Sequence, residues 1–590
     1  MKRLVYILPF LAAPLFAQES TSDAVAAQDS ATVDRTVYVE REFQPTVQSA
    51  GKIAVKPEVY EPQIVPQTPV YSSFSSPLSM DYNVRQLDFS TLNFRHPEAL
   101  HGFMKAGVGH QNTLFSFNYR VTDSQMHKGK KQKNSANDLV LDLHADHLAQ
   151  WGLKTYSASD LGFDFSKQLP KAQIFFGASG GNDYFTRYGK YFTPNTSDPG
   201  TGTYSKNRLK DVPTADRQSI WLVNTRIGVR SLPDADISYS VQTGYESFLA
   251  TNCAIEHQIH TCGSFEWGSN FHHIGAEADI QNRFYSNQSS GLKTRTNHRI
   301  HIEPYYFYDG NRIRLHAGAN LDFSAGRGRI AGISPNIRFE ADLTQNWLAL
   351  YADVTGGYEA NGAKGEYREN IYRAIECLFE DSISGTYVPV NAELGFKIRP
   401  YETLLLTLHA GYMYMLDQHV NVFGKEIYGE FEHESQNSTS WKIGGDIHYH
   451  WRDIVNVNVG GNYYIYKALT DIGNLTFDDG RLMGFDGPDW DLHARVDVNI
   501  NRKWSVYSDN YLLGKRTVCV FDLTTGSYDG RTLRPAFDLN LGMQYNVNRW
   551  LSVFAQLNNY LAWTEKLSYY TFYGHEAARA NCMLGLTWSF

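Results

Sequence analysis

Long segments in which apolar and polar residues alternate are the feature that most limits how this chain can fold. In 537–547, 492–500 and 388–398, every second residue is apolar, and nearly all the residues between them are charged, amide or glycine residues. Because successive side chains of a strand point to opposite faces, each segment predicts a strand with one apolar and one polar face.

The length of these strands separates a membrane barrel from a soluble sandwich. A soluble sheet with one wet face shows the same alternation, but its strands average about 5–6 residues. The segments here extend over about 10–13 residues, which suits a tilted transmembrane strand of about 9–11 residues. The alternation therefore favours an all-β transmembrane barrel.

The connections between the segments have two lengths. Short polar turns fall at 344–346, 399–402, 452–453, 501–503 and 548–549, and three of them are followed at once by Trp347, Trp504 or Trp550. Longer polar stretches occupy 417–439, 468–490, 515–534 and 563–577. Short periplasmic turns, long outer loops and an aromatic girdle are typical of an outer-membrane barrel. We find no blade period of about 40–50 residues, which a propeller would show.

The strand count follows from the same pattern. Residues 102–590 hold about 20–22 predicted antiparallel strands, and an even number is required. The region 265–284 is either one strand or two, so the total depends on it. We favour 22, and fewer strands with a porin-like pore remain the alternative.

The amino terminus and the composition agree with export to a membrane. Residues 1–17 have a basic start, an apolar run and a small final residue, which predicts a cleaved secretory signal peptide. No second apolar run is long enough for a membrane helix. A net charge of -8 and a pI near 6.2 argue against binding to nucleic acid.

The carboxyl terminus carries a recognisable ending. Gly585, Trp588 and Phe590 form a Gly-x-x-aromatic-x-aromatic sequence, which resembles the signal by which Gram-negative bacteria insert outer-membrane barrels. The resemblance implies recognition of the last strand by the barrel-assembly machinery, with Phe590 at the periplasmic rim. It also implies surroundings of outer-membrane lipid and lipopolysaccharide.

Residues 18–101 differ from the rest of the chain and contain seven of its 20 prolines. This composition predicts an extended segment, either periplasmic or filling the lumen. It includes Glu42, Phe43, Pro45 and Thr46, followed by a Lys-Ile pair, and Gly102–Gly107 reads Gly-Phe-Met-Lys-Ala-Gly. These motifs resemble those of Bacteroidota outer-membrane proteins that are similar to TonB-dependent receptors with a reduced plug.

The resemblance implies transport across the outer membrane, but it leaves the mode open. Residues 36–39 are either a TonB-box-like strand that pairs with a periplasmic partner or a segment without that role. Periplasmic or outer-membrane proteins are possible partners of residues 18–101. The alternative function is a non-transporting structural or assembly subunit of an outer-membrane complex.

Candidate chemistry is sparse. Cys253 and Cys262 lie in a predicted outer loop and are candidates for a disulfide, since the compartment is oxidising. A metal site that includes His257, His260, His272 and His273 is the alternative. No spacing of Ser, His and Asp identifies a catalytic group and none predicts a cofactor, so we expect a protein that is not an enzyme. A hydrolase at the barrel rim remains open. The basic stretch 128–133 and the aromatic-rich loop 186–216 carry no assigned role.

Overall fold

The computed structural model describes residues 101–590 except for 123–138, 152–155, 187–191, 194–204, 207–216, 233–234, 236, 251–254, 270, 287–295, 327, 345–346, 360, 374–384, 424–430, 453, 471–486, 502, 523–526, 564–568, 574 and 578. The predicted signal peptide and all of residues 18–100 therefore lie outside the described residues, as does the basic stretch 128–133. No helix among the described residues is long and apolar enough to cross a membrane.

Twenty-two antiparallel strands form the wall of a closed barrel. In chain order they are β1 (Gly102–Gly109), β2 (Asn112–Thr122), β3 (Leu139–Gln150), β4 (Tyr156–Gln168), β5 (Ala172–Thr186), β8 (Arg217–Ser231), β9 (Ile237–Ala250), β10 (Ile255–Ser269), β11 (His272–Ser286), β12 (Asn297–Asp309), β13 (Ile313–Ala325), β14 (Ala331–Thr344), β15 (Leu348–Glu359), β16 (Thr386–Tyr401), β17 (Leu404–Phe423), β18 (Phe431–Trp451), β19 (Val455–Ala468), β20 (Trp490–Asn499), β21 (Trp504–Leu513), β24 (Ala536–Asn546), β25 (Leu551–Asn558) and β28 (Asn581–Ser589).

Each wall strand pairs with the next, and β28 pairs with β1 to close the cylinder. The predicted count of 22 is confirmed, and the ambiguous region 265–284 belongs to two paired strands, β10 and β11. β10 begins before residue 265 and β11 ends after residue 284, so the pair extends beyond the predicted limits.

Within the described part of the chain, six short strands and one helix lie outside this wall. They are β6 (Phe192–Thr193) paired with β7 (Ser205–Lys206), β22 (Arg516–Asp522) paired with β23 (Ser527–Leu533), β26 (Tyr570–Phe572) paired with β27 (His575–Glu576), and α1 (Ala363–Glu369). β21 pairs directly with β24, so the β22–β23 hairpin projects from the wall rather than belonging to it.

The alternation of the sequence becomes the two faces of the wall. On β28, Cys582, Leu584, Leu586 and Trp588 are exposed on the outer face, whereas their neighbours point inward. A closed barrel with an apolar outer surface satisfies all backbone hydrogen bonds between strands, as a bilayer requires. The predicted short turns at 344–346, 399–402, 452–453, 501–503 and 548–549 join strand ends at the same barrel end as Phe590, whereas β15, β19, β21 and β25 end at the other barrel end, where predicted long connections begin.

The tryptophans that follow the short turns are held by the turns themselves. The Trp504 amide donates to Asn501 Oδ1 at 2.9 Å and the Trp550 amide to Asn548 Oδ1 at 2.8 Å. The Trp347 amide donates to the Thr344 carbonyl oxygen at 2.9 Å. Each turn thus sets an indole at the edge of the apolar surface, where an interfacial girdle is expected.

One predicted loop is wrong. The stretch 417–439 is mostly strand, because β17 continues to Phe423 and β18 begins at Phe431. Above Ser438, which pairs with the last residue of β19, these two strands rise beyond the wall and pair with each other, with β22 through Val422 and Phe423, and with Arg373 through Phe431. The polar residues in this stretch suggested a solvated loop, but most of them are buried between elements that cover the mouth.

Candidate functional site at the barrel mouth

A segment between β15 and β16, residues 361–373, lies across the long-loop end of the barrel. Its helix α1 begins after Gly362, which has no side chain to cap the first amides. Glu256 of β10 supplies the missing acceptor, since its carboxylate receives hydrogen bonds from the amides of Ala363 at 2.8 Å and Lys364 at 3.5 Å. Helix amides without a partner favour an anion at this position, so the wall fixes where the helix begins.

The apolar side of α1 packs on the strands near β9. The Tyr367 ring lies between Phe185 of β5 and Phe248 of β9, with ring centroids 5.9 and 5.6 Å away. Ala363 and Ile220 complete this cluster, and all of its aliphatic and aromatic side chains are buried. Burial raises the pKa of the Tyr367 phenol well above its usual value, with the Asp183 carboxylate adding to the shift.

The polar side of the segment binds the rising part of β17. Arg373, buried with 1 % of its side chain exposed, forms an ion pair with Glu366 and donates to Asn421 Oδ1 at 2.6 Å. The same Glu366 carboxylate lies 2.7 Å from His419 Nδ1. Buried charges are tolerated only when they are paired and hydrogen-bonded, and this group meets both conditions.

One carboxylate of α1 has an unfavourable position. Glu369 is buried and lies near Glu359, and these two causes raise the pKa of Glu369 to about 8. Arg373 Nη2 lies 3.4 Å from its Oε2. Glu369 is therefore a group of the segment that titrates near neutral pH, and so is Lys364, whose pKa burial lowers to about 8.

These contacts make residues 361–373 a strut across the mouth. The apolar contacts fall on β5, β8 and β9, and the charged contacts fall on β17. Seven wall strands, β10 to β16, separate β9 from β17 on the shorter way around the ring. Since α1 touches both sides, the segment spans much of the opening. We call residues 361–373 the mouth strut.

Two hairpins extend the cover on the other side of the mouth strut. The Tyr372 ring stacks on His575 of β27 with a centroid distance of 3.7 Å and meets Phe572 of β26 edge-on at 5.9 Å. Arg516 of β22 donates to the Thr571 carbonyl oxygen at 2.6 Å and also to that of Tyr570. Phe423, Phe431, Val518 and Leu533 join the same apolar cluster.

Below this cover, the inner wall carries charged pairs that link adjacent strands or strands two apart. Lys442 Nζ lies 2.7 Å from a Glu393 oxygen, and the Tyr351 hydroxyl donates to the other oxygen of that carboxylate at 2.9 Å. Asp322 binds Arg299 at 3.0 Å and His301 at 2.9 Å. Such networks stiffen the wall when fully satisfied, and they give the lumen a polar surface.

The predicted carboxyl-terminal residues form the seam of the barrel. Gly585 faces Gly107 across the β1–β28 pair, and the Phe554 ring packs against both glycines on the inner face. The Phe590 carbonyl oxygen accepts from the amides of His101 at 2.7 Å and Gly102 at 3.0 Å. The Phe590 ring packs on Tyr119 and on Trp588, with centroids 5.7 and 5.2 Å away. Their role as an assembly signal stays a prediction.

The other predicted site residues have separate outcomes. Glu42, Phe43, Pro45 and Thr46 lie outside the described residues, as does Cys253. The placement of Cys262 in an outer loop is wrong, because it is a free thiol on the inner face of β10. Cys262 lies seven residues below Ile255, about 23 Å of strand at the usual rise, whereas a disulfide joins Cα atoms about 4.4–6.8 Å apart. The disulfide stays a prediction, and this distance counts against it.

The histidines of the alternative metal site are held apart. His257 and His260 lie near the long-loop end of β10, and His272 and His273 lie at the opposite end of β11. His260 binds Asp279 and His273 binds Glu266. Across the described ranges, no three His, Cys, Asp or Glu side chains are grouped so that they would hold a metal ion.

Comparison with solved structures gives one consistent fold. The ferripyoverdine receptor of the outer membrane of Pseudomonas aeruginosa matches with a TM-score of 0.59 and 11% identity, over 84% of this chain and 72% of that chain. A mutant ferric enterobactin receptor from Pseudomonas aeruginosa, in complex with enterobactin, matches with a TM-score of 0.59 and 12% identity, over 84% and 82%. The FpvAI–pyocin S2 complex matches with a TM-score of 0.59 and 12% identity, over 84% and 74%.

At these identities the likeness concerns the fold. No protein-family model matches the sequence, and the comparison with curated proteins gives no match. The closed 22-strand barrel of this chain, its apolar outer face and its girdle of aromatic residues make the protein an outer-membrane β-barrel.

Proposed function

We propose that the protein transports a solute across the outer membrane through a barrel similar to that of TonB-dependent receptors. The observation that supports this most directly is a polar, ion-paired lumen closed at one end by a strut and two hairpins. A scaffold subunit has no need of a hydrated interior, whereas a transporter needs both an interior and a closure that prevents leakage. The neighbours with this fold are receptors for ferripyoverdine and for ferric enterobactin, or form a complex with a pyocin.

We further propose that the protein is of Bacteroidota type with a reduced plug, and that residues 18–101 fill part of the lumen. On β1, β25 and β28, the inward-facing Lys105, Gln556 and Thr587 are each 2% exposed. On β3–β8, the inward-facing Asp160 and Arg226 are 47% and 54% exposed. This difference in exposure supports a lumen that is partly filled on the β25–β1 side.

Conductance in planar bilayers tests the proposal. The full protein should conduct little, and deletion of residues 18–95 should raise the conductance, with a further rise when the mouth strut is loosened by Arg373→Ala. No conductance from any form, together with stable co-purifying outer-membrane proteins, would favour the structural or assembly subunit instead. If the labelling rate of the thiol in Gln556→Cys is unchanged by the deletion, residues 18–101 do not fill this part of the lumen, but transport is not contradicted.

A further inference from the structure

A small polar group interrupts the lipid-facing surface near the long-loop end of β9–β12. Its members are Tyr245, His257, Asn282, Ser286 and His298. The exposed apolar residues that share their faces are Val241 on β9, Ile259 and Trp267 on β10, Ile280 and Phe284 on β11, and Ile300 and Ile302 on β12. The period of two therefore places the polar group on the outer face, turned away from the lumen.

Three of these side chains form a continuous hydrogen-bonded row. His257 Nε2 lies 2.7 Å from Ser286 Oγ, and His257 Nδ1 lies 2.7 Å from the Tyr245 hydroxyl oxygen. The Tyr245 and His257 rings also stack, with centroids 6.1 Å apart and an interplanar angle of 24°. A serine bound to one imidazole nitrogen, with the other nitrogen oriented by a third group, is the arrangement of an activated nucleophile.

The row lies at the height of the lipid head groups. Ten residues of β10 separate His257 from Trp267, which marks the short-turn end of the lipid-facing surface. At a rise of about 3.3 Å per residue and a tilt of about 35–45°, this separation spans roughly 25 Å along the membrane normal. The apolar band of an outer-membrane barrel is about 25 Å tall, so Ser286 and His257 meet its outer boundary, where the acyl esters of membrane lipids lie.

At this boundary polar side chains cost little, so their polarity alone does not indicate a function. What indicates one is the hydrogen-bonded order of Tyr245, His257 and Ser286. Ser286 is exposed at the last position of β11, and the five polar residues come from four consecutive strands.

We propose that Ser286, His257 and Tyr245 form an esterase site for membrane lipids, with Ser286 as the nucleophile, His257 as the general base and Tyr245 as a positioning residue. This inference does not depend on transport through the lumen. This role requires the tautomer in which His257 Nδ1 donates its hydrogen to the Tyr245 hydroxyl oxygen, so that Nε2 accepts the Ser286 proton. The substrate class is an acyl ester, carried either by a glycerophospholipid or by lipid A.

The reaction balances with water as the co-reactant. Ser286 Oγ forms a bond to the ester carbonyl carbon while its proton moves to His257 Nε2. Collapse of the tetrahedral intermediate breaks the bond to the alcohol oxygen, which takes that proton and leaves as the lyso-lipid. Water, deprotonated by His257, then attacks the acyl-serine, releases the fatty acid and restores Ser286.

The test measures fatty-acid release by the purified full-length protein in detergent micelles, with dioleoylphosphatidylglycerol in one arm and lipid A in the other. Ser286→Ala and His257→Asn should each lower the rate by about 10²–10⁴-fold, and the arm that responds identifies the lipid. Tyr245→Phe should lower the rate less and also displace the acid limb of the pH–rate profile, which a purely structural role would not move.

A matched control is present on the same face. His147 Nδ1 lies 2.8 Å from Ser159 Oγ near the long-loop end of β3 and β4, and within the described residues no third side chain hydrogen-bonds this imidazole. Ser159→Ala should therefore leave the rate unchanged. A fluorophosphonate serine reagent should label Ser286 in the folded protein and not after heating. Release in both arms that equals the Ser286→Ala background, with no adduct on Ser286, would overturn the proposal.

Discussion

Replacing Arg373 by alanine should open the barrel mouth. The guanidinium of Arg373 is 1 % exposed and binds Glu366, Glu369 and Asn421. Removing one partner of a buried ion pair costs about 3–5 kcal/mol, because the remaining carboxylate stays buried without its counter-ion. The barrel wall does not depend on this contact, so we expect the cost to fall on closure of the mouth strut.

This cost sets the size of the effect. Each 1.4 kcal/mol is a factor of ten in an equilibrium constant, so the open fraction should rise by roughly 10²- to 10³-fold. Cys262 is a native reporter, since it lies on the inner face of β10 six residues below Glu256, which caps the mouth strut. In a variant whose other cysteines are serine, the labelling rate of Cys262 by a membrane-impermeant maleimide on intact cells measures that fraction.

Arg338 provides the control. It also lies on the inner wall, but its side chain is 62% exposed and its nearest ion-pair distance, to Asp353, is 3.9 Å. Exposed pairs of this kind contribute about 0–1 kcal/mol, so Arg338→Ala should change the labelling rate by less than about fivefold. Equal labelling rates in Arg373→Ala and Arg338→Ala, with both proteins folded by heat-modifiable migration, would refute closure by the mouth strut.

Three further predictions concern the seam, the pH response and the cysteines. A Cβ at Gly585 would lie 2.4 Å from the Ala106 carbonyl oxygen. The strain in Gly585→Val should cost about 1–3 kcal/mol of stability and lower the unfolding temperature in detergent. Cys582→Val on the lipid face should leave that temperature unchanged. Glu369 holds its proton up to about pH 8 only while it is buried. Closure of the mouth strut should therefore be strongest below about pH 4.5 and weaken as the pH rises to about 8. The labelling rate of Cys262 should increase over the same pH range, and Glu369→Gln should abolish that increase. Mass spectrometry without reduction should find Cys262 alkylated as a free thiol, and a linked Cys253–Cys262 peptide would contradict the distance argument.

The wall was predictable because the period of two repeats in every strand and needs no knowledge of distant residues. Segments such as 537–547 carry both the face and the length of a membrane strand, and Trp504 and Trp550 mark the turns. The mouth strut was not predictable, because Glu256, Glu366 and His419 come together from three separate parts of the chain. The same holds for Tyr245, His257 and Ser286, whose spacing has no local regularity.

The rising part of β17 shows a second limit. His419, Asn421 and their neighbours read as a polar loop because a lipid-facing strand would need apolar residues there. Once strands leave the membrane, that requirement ends, and pairing with β18 and β22 decides the structure. A hydropathy pattern therefore finds where a strand crosses the bilayer but not where it stops.

The glycine seam has a consequence for the order of folding. The β1–β28 pairing joins Phe103 to Ser589, which are 486 positions apart in the sequence, so this contact cannot form until every other wall strand has been synthesised. Until then β1 and β28 each present an open edge that is able to pair with other chains, and contacts of such separation form slowly. Gly107 and Gly585 have no side chains that must rearrange, so β1 and β28 can approach each other closely beneath the Phe554 ring. We expect closure to be the slow step of assembly, and the step at which a catalyst that holds both edges acts.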